Sequence, residues 1–177
     1  MLDCLVLRPQ DFAVALLLTQ PSMVGWTYAT LADRLALSTS EAHAAVKRAQ
    51  HARLLRGRAV DRHALLAFVE QGMPYAFYAE RGGPTRGIPT GASAPPLRER
   101  FAPGQGPVWS DPQGDTRGYA LKPLYPRLPD AAKRDPVVHE LFALVDAVRD
   151  GGVRERAEAL RELRERIDQI GSGTSDG

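Results

Sequence analysis

Cysteine is nearly absent from the sequence, because Cys4 is the only one among 177 residues. A single cysteine excludes an internal disulfide and a zinc site built from several thiolates. Long apolar runs are also absent: the longest, FAVALLL at residues 12 to 18, is far shorter than the ~20 residues of a membrane span. The first residues include Asp3, where a signal peptide would be basic. We therefore expect a cytoplasmic protein without membrane attachment, with Cys4 as a small buried residue.

A strong excess of one charge is missing as well. The 23 lysines and arginines against 21 aspartates and glutamates leave a formal net charge of +2. Any nucleic-acid-binding function must therefore come from where the basic side chains cluster, and not from the total charge. Hydrophobic residues make up 44% of the chain, which is sufficient for a globular core.

Residues 1–72 predict a compact unit of four helices. Pro9 suits the first turn of a helix that Pro21 ends, and Thr27 is a suitable N-cap for the second. Asp61 is the expected N-cap of the fourth helix, and Gly72 its expected end. The apolar residues recur at helical spacing; they are Phe12, Leu16, Leu17, Leu31, Leu35, Leu65, Leu66, Phe68 and Val69.

The third helix has the clearest local signal. Ser38 followed by Glu41 is a capping box, which predicts a helix beginning at Thr39 or Ser40. Its inward face is small and apolar, so that the helix can approach its neighbour closely; this face consists of Ala42, Ala45, Val46 and Ala49.

Residues 73–128 are rich in proline and glycine, which excludes long helices there. The alternation at Tyr75, Phe77 and Ala79 predicts a strand. Val108–Trp109 and Tyr119–Leu121 predict a hairpin closed by the turn at residues 111–114. Residues 82–87 (GGPTRG) lack the Gly-Lys-Ser/Thr ending of a phosphate loop, and a turn with two exposed arginines is the simpler interpretation. We expect an ordered, loop-rich module with a few strands.

Residues 129–170 return to helical periodicity, interrupted at Gly151–Gly152, and residues 171–177 (GSGTSDG) predict a flexible tail. The second helix carries an apolar stripe that must be covered by something; it consists of Val153, Leu160, Leu163, Ile167 and Ile170. Two interpretations stay open. The stripe is a homodimer surface, or it packs back on the preceding helix as a hairpin within the chain.

Residues 31–58 combine two short helices with a basic second helix, the pattern of a helix-turn-helix whose second helix lies in the DNA major groove. The capped N-terminus directs free N–H groups and a positive dipole end toward phosphate. Ser40, His43 and Lys47 share an outward face at helical spacing. Residues 47 to 62 include six basic side chains and one acid, a density suited to phosphate neutralisation.

The stretch WTYATLADRLALSTSEAHAAVKRAQHARLL, residues 26–55, carries a further pattern, at Tyr28, Leu31, Ala32, Leu35, Leu37, Ser38, Ala45, Val46, Leu54 and Leu55. On these residues the stretch resembles the winged-helix core of MarR-type transcriptional regulators. The resemblance implies a recognition helix from about Ser40 to Arg53, with contacts at Ser40, His43, Ala44 and Lys47. The wing is reduced to a stub at residues 56–58. The remainder, including AERGGPTRGIPTGASAPPL, resembles an uncharacterised bacterial helix-turn-helix family.

The predicted fold class is therefore mainly α (α+β): an N-terminal winged helix-turn-helix, a loop-rich middle module with a few strands, and a C-terminal helical hairpin. The expected partners are double-stranded DNA and a second copy of the chain. The predicted DNA-contacting residues are Ser38, Thr39, Ser40, His43, Ala44, Lys47, Arg48, Arg56 and Arg58.

Other chemistry has weak support in the sequence. The four histidines show no spacing typical of a metal site, and no Gly-x-Ser-x-Gly motif surrounds Ser93, the serine of a conceivable triad with Asp111 and His139. Trp109 and Tyr119 could stack on a base, although core packing is the simpler role. We expect no cofactor, no metal and no enzyme activity. The favoured function is an autoregulatory DNA-binding transcriptional regulator. The alternatives are an antitoxin-like protein that binds a toxin enzyme and represses its own operon, and an enzyme with its site in the middle module.

Overall fold

The computed structural model describes residues 6–101 and 104–169, which form an α+β fold. The helices are α1 (Pro9–Leu17), α2 (Tyr28–Arg34), α3 (Thr39–His51), α4 (Arg62–Ala67), α5 (Met73–Ala76), α6 (Leu128–Arg134), α7 (Pro136–Asp150) and α8 (Val153–Asp168). The strands are β1 (Leu55–Arg56), β2 (Ala59–Val60), β3 (Arg81–Pro89), β4 (Pro107–Ser110) and β5 (Thr116–Leu121). Single helical turns lie at Pro21–Met23, Phe68–Gly72, Gly91–Ser93 and Leu97–Glu99. Cys4, Ile170 and the tail at 171–177 lie outside the described residues.

The N-terminal helices begin where the sequence predicts them. Pro9 is the first residue of α1. The Thr27 hydroxyl accepts a hydrogen bond from the Thr30 N–H at 3.1 Å at the start of α2, and Asp61 accepts from the Ala64 N–H at 3.0 Å at the start of α4. The four inward residues predicted for α3 are all buried. These local signals are confirmed.

The predicted helix end at Gly72 is wrong, because the helical backbone continues past this residue: α4 is followed by a π-helical turn and then by α5. Pro74 has no N–H to donate to the Glu70 carbonyl four residues earlier, so the α-helical hydrogen-bonding pattern cannot continue there. The backbone widens into a π-helical turn at Phe68–Gly72 and resumes as α5. The Glu70 carbonyl accepts instead from Arg156 Nη2 at 3.3 Å.

The strand predicted at residues 75–79 is therefore wrong, because α5 occupies its first half and the next strand begins at Arg81. Tyr75 and Tyr78 are 81% and 65% exposed. Tyr75 lies in α5 and Tyr78 in the loop after it, so the alternating pattern in the sequence does not mark a strand.

β3 is the central strand of a small closed sheet. It pairs antiparallel with both β4 and β5, and Gly87 lies opposite both Ser110 and Thr116. β4 and β5 must then run parallel, and they close the sheet through Pro107 opposite Tyr119. The predicted hairpin between these two strands is wrong, and the glycine-rich stretch predicted as a turn is part of β3.

Closure of so small a sheet requires glycine where the backbones meet. A Cβ added to Gly87 would lie 1.9 Å from the Trp109 carbonyl oxygen, and one added to Gly114 would lie 2.4 Å from the Gly87 Cα. The segment between β4 and β5 thus crosses directly over β3 at a glycine.

A buried carboxylate anchors the sheet to α7. Asp146 accepts hydrogen bonds from Thr90 Oγ1 at 2.7 Å, Trp109 Nε1 at 2.7 Å and Arg149 Nη1 at 2.6 Å. Burial raises the pKa of Asp146, and the Arg149 charge and the three hydrogen bonds oppose that rise. Arg149 also donates to the Phe77 carbonyl at 2.7 Å, which connects the loop before β3 to the same cluster.

The C-terminal helices form a hairpin within the chain. Leu163 and Ile167 of α8 are fully buried in the core shared with α7, whereas Val153 is 89% exposed. Two residues of the predicted stripe, Leu163 and Ile167, are therefore covered by the chain's own helices, and Leu160 is half-buried. The homodimer stays a prediction. The core is continuous through the predicted segments 1–72, 73–128 and 129–170.

Candidate nucleic-acid interface

α2 and α3 meet at a sharp turn set by local backbone geometry. Ala36 adopts a left-handed conformation with φ +54°, which directs the chain from α2 into α3. Ser38 then caps α3: its Oγ accepts from the Glu41 N–H at 3.1 Å, while the Glu41 carboxylate accepts from the Ser38 N–H at 2.7 Å. These hydrogen bonds lower the pKa of Glu41. The predicted capping box is thus present and fixes the start of α3.

The outward face of α3 presents the predicted contact residues to solvent. Thr39, Ser40, His43 and Lys47 are exposed, and Ala44 is half-buried between them. They line a shallow groove of about 630 Å³ that also includes Tyr28 and Gln50. The His43 ring stacks on Tyr28, with 3.4 Å between ring centroids and 15° between ring planes.

Arg48 points the other way and is a correction to the predicted contact set. Its Nη2 lies 2.8 Å from Oδ1 of Asp11, a fully buried residue of α1, and its own side chain is only 14% exposed. Asp11 also accepts from the Arg8 N–H at 2.7 Å. A guanidinium that neutralises a buried carboxylate is committed to the core. We therefore assign Arg48 a structural role.

β1 and β2 form a short hairpin after α3, at the place where the sequence predicts a stub of a wing. Its two-residue loop places Gly57 at φ +60°, a conformation that glycine adopts without strain in hairpin turns. The Arg58 guanidinium lies 3.8 Å from the Trp26 ring centroid and donates to the Trp26 carbonyl. Arg56 forms an ion pair with Asp61 at 2.7 Å while staying 82% exposed. The hairpin is therefore held beside α3 and the start of α2.

Sequence reasoning missed several residues of this surface. Gln50 follows His43 and Lys47 at helical spacing, a signal that could have identified it, and its Nε2 donates to the Gly57 carbonyl at 2.7 Å. Arg53 is exposed just after α3 with φ +60°; it belongs to the basic cluster of residues 47 to 62 but is not among the predicted contact residues. The Tyr28 and Trp26 ring contacts likewise depend on how α2 and the hairpin fold together.

The described residues form neither a metal site nor the catalytic triad considered from the sequence. Within the described residues, no group of three histidine, cysteine or acidic side chains is placed to hold a metal ion. Asp111 pairs with Lys133, and His139 Nε2 contacts the Pro89 carbonyl at 2.7 Å, so neither is joined to Ser93 by a hydrogen bond. Trp109 is fully buried as expected.

No helix in residues 6–101 and 104–169 is both long and apolar enough to cross a bilayer. Comparison of the chain with protein-family models, curated proteins and solved structures finds no match. Its function must therefore be inferred from its own side chains.

Proposed function

We propose that this protein is a DNA-binding transcriptional regulator that places α3 in the major groove of duplex DNA. The observation that carries the proposal is the outward face of α3. Ser40, His43 and Lys47 stand together in solvent. The spacing of three and four residues lets these side chains meet base edges side by side.

The charge around this face supports the proposal. Among the described residues, Lys47, Arg53 and Arg62 have no ion-pair partner, and Arg56 projects from the hairpin despite its pair with Asp61. The acid nearest the start of α3, Glu41, is occupied by the Ser38 N–H. These basic side chains lie along the second half of α3 and in the segment after it, and unpaired basic side chains favour phosphate binding.

The short helices α2 and α3 and the hairpin after them support the proposal of a MarR-like winged helix-turn-helix, with Arg56 and Arg58 as the basic residues of a reduced wing. We include a homodimer in the proposal, because two copies related by a twofold axis would read half-sites about 34–36 Å apart. Leu163 and Ile167, which are buried within the chain, would not contribute to the homodimer surface. Autoregulation and the toxin-binding alternative stay predictions.

Neighbouring substitutions in α3 test the proposal. Lys47→Ala should leave the free energy of unfolding within about 0.5 kcal/mol of the wild-type value, because the side chain is exposed. It should nevertheless weaken DNA binding and reduce the salt slope by about 1 if the lost contact is to phosphate. Fluorescence anisotropy with the gene's own upstream duplex, measured across a range of salt concentrations, gives both quantities.

Arg48→Ala is the matched control. It should lower the free energy of unfolding by about 3 kcal/mol, because it leaves the Asp11 carboxylate buried without its cation. If wild type binds no duplex at low salt, or if Lys47→Ala binds as wild type does, α3 is not the recognition helix.

A further inference from the structure

Two arginines lie side by side on neighbouring strands of the closed sheet. In the β3–β5 ladder, Arg86 lies directly opposite Arg117, so both side chains leave the sheet on the same side. Like charges at directly opposite positions destabilise a strand pair. Neither has an ion-pair partner among the described residues, whereas Arg161, Arg164 and Arg166 of α8 are all paired with glutamates.

Arg117 lines two cavities, and Arg86 lines the smaller of them. The smaller, about 260 Å³, lies between Arg86 and Arg117, and the larger, about 500 Å³, adds Arg98 and Ser93. Glu99 is the one acidic residue lining them. Arg86 and Arg117 thus line the smaller cavity, and Arg98 and Arg117 line the larger, which has the size of a small-ligand site.

Ser93 adds an unused hydrogen-bonding group. Its Oγ is buried and has no hydrogen-bond partner within the described residues. A buried hydroxyl without a partner is costly, and one rotation about χ1 can redirect it without breaking any existing bond. Ser93 lines the larger cavity, so a ligand there would give this hydroxyl a partner once that rotation turns it toward the cavity.

We propose that this face binds a small phosphorylated ligand, with its terminal phosphoryl group at Arg86 and Arg117 and the rest of the ligand toward Arg98 and Ser93. A terminal phosphoryl group carries close to two negative charges and three acceptor oxygens. It can therefore neutralise the Arg86–Arg117 pair in the smaller cavity, while the rest of the ligand extends toward Arg98 and Ser93 in the larger cavity. A carboxylate offers two oxygens and a single charge, which leaves the arginine pair incompletely neutralised. The site is independent of the α3 surface.

Isothermal titration with inorganic pyrophosphate and with ADP tests the proposal on the full chain. Wild type should bind both saturably, and each should raise its melting temperature, as any ligand specific for the folded state does. The double variant Arg86→Gln/Arg117→Gln should bind at least about tenfold more weakly. Its melting temperature without ligand should equal or exceed that of wild type, because the repulsion between the two arginines is removed. Ser93→Ala should weaken binding by a smaller factor.

Arg154→Gln is the matched control, since Arg154 is an exposed arginine of α8 without an ion pair among the described residues, and it should bind both ligands as wild type does. The proposal is wrong if wild type shows no saturable binding, or if the double variant binds as tightly as wild type. It is also wrong if a single-stranded oligonucleotide without terminal phosphate displaces pyrophosphate at lower concentration than ADP does. That result would assign the face to a nucleic-acid backbone.

Discussion

At the scale of single residues, adjacent basic side chains of α3 have different roles. Lys47 is exposed and unpaired, while Arg48, one position later, pairs with the buried Asp11. A helix turns by about 100° per residue, so neighbours in sequence face different surroundings. Charge density along a sequence therefore overstates the number of cations available to a partner.

Substitutions at Ser38 and Ser40 should distinguish the contribution of α3 to stability from its contribution to DNA binding. Ser38→Ala should lower the free energy of unfolding by about 1 kcal/mol, because the Glu41 N–H loses its acceptor. Ser40 is exposed on the outward face, and Ser40→Ala should leave stability within about 0.5 kcal/mol of wild type while weakening DNA binding. Thermal and urea unfolding measure the stability of the two variants, and fluorescence anisotropy measures their affinity for DNA. Equal stability of Ser38→Ala and wild type would contradict the cap.

At the scale of secondary-structure elements, Asp135 joins α2 to α7. Its Oδ1 caps α7 by accepting from the Val137 N–H at 3.0 Å and the Val138 N–H at 3.3 Å. Its Oδ2 accepts from Arg34 Nε at 2.7 Å. Burial would raise the pKa of Asp135, but the Arg34 hydrogen bond and charge, with the two backbone hydrogen bonds, bring it below its ordinary value.

The lowered pKa of Asp135 predicts how stability changes with pH. A carboxyl whose pKa is lower in the folded than in the unfolded state contributes stability at pH values above its unfolded pKa, and that stability is lost as the pH falls toward the folded pKa. Asp135→Asn still caps the helix but does not titrate, so its loss of stability between pH 7 and about pH 3 should be smaller than that of wild type. Asp135→Ala should cost a further ~1 kcal/mol at pH 7.

Urea unfolding at both pH values measures this, with Asp130→Asn as the control on the same segment. Asp130 is exposed, and its variant should follow the wild-type pH profile. A wild-type pH profile for Asp135→Asn would show that the carboxylate is not linked to folding.

At the scale of the whole molecule, one core holds the N-terminal helices, the closed sheet and the C-terminal hairpin together. Phe12 of α1, Trp109 of β4 and Ile167 of α8 all belong to it. The last helix is therefore part of the fold that supports the α3 surface, and a chain ending at Asp150 should unfold.

Leu163 and Val153 test this assignment on the intact chain. Leu163→Ala should lower the free energy of unfolding by about 2–5 kcal/mol, because it opens a cavity at a fully buried position. Val153→Ala, at an exposed position of the same helix, should change it by less than about 0.5 kcal/mol. Urea unfolding gives both values, and sedimentation should show the wild-type association state for each variant. A Leu163→Ala variant of unchanged stability but altered association would restore the stripe as a contact between copies.

The sequence by itself determined the hydrogen bonds whose donor and acceptor residues lie within one helical turn of each other. The caps at Thr27, Ser38 and Asp61 are of this kind, and so the position of α3 and its outward face could be predicted. A hydrogen bond between residues three positions apart depends on their identities and local backbone alone.

Tertiary structure alone decided the pairings between distant residues. Arg48 meets Asp11 across 37 positions, and Asp146 joins Trp109 across another 37. The parallel pairing of β4 with β5 follows from their shared partner β3, which only the closed sheet shows. The number of alternative partners grows with separation along the chain, and burial and close packing choose among them when all elements come together.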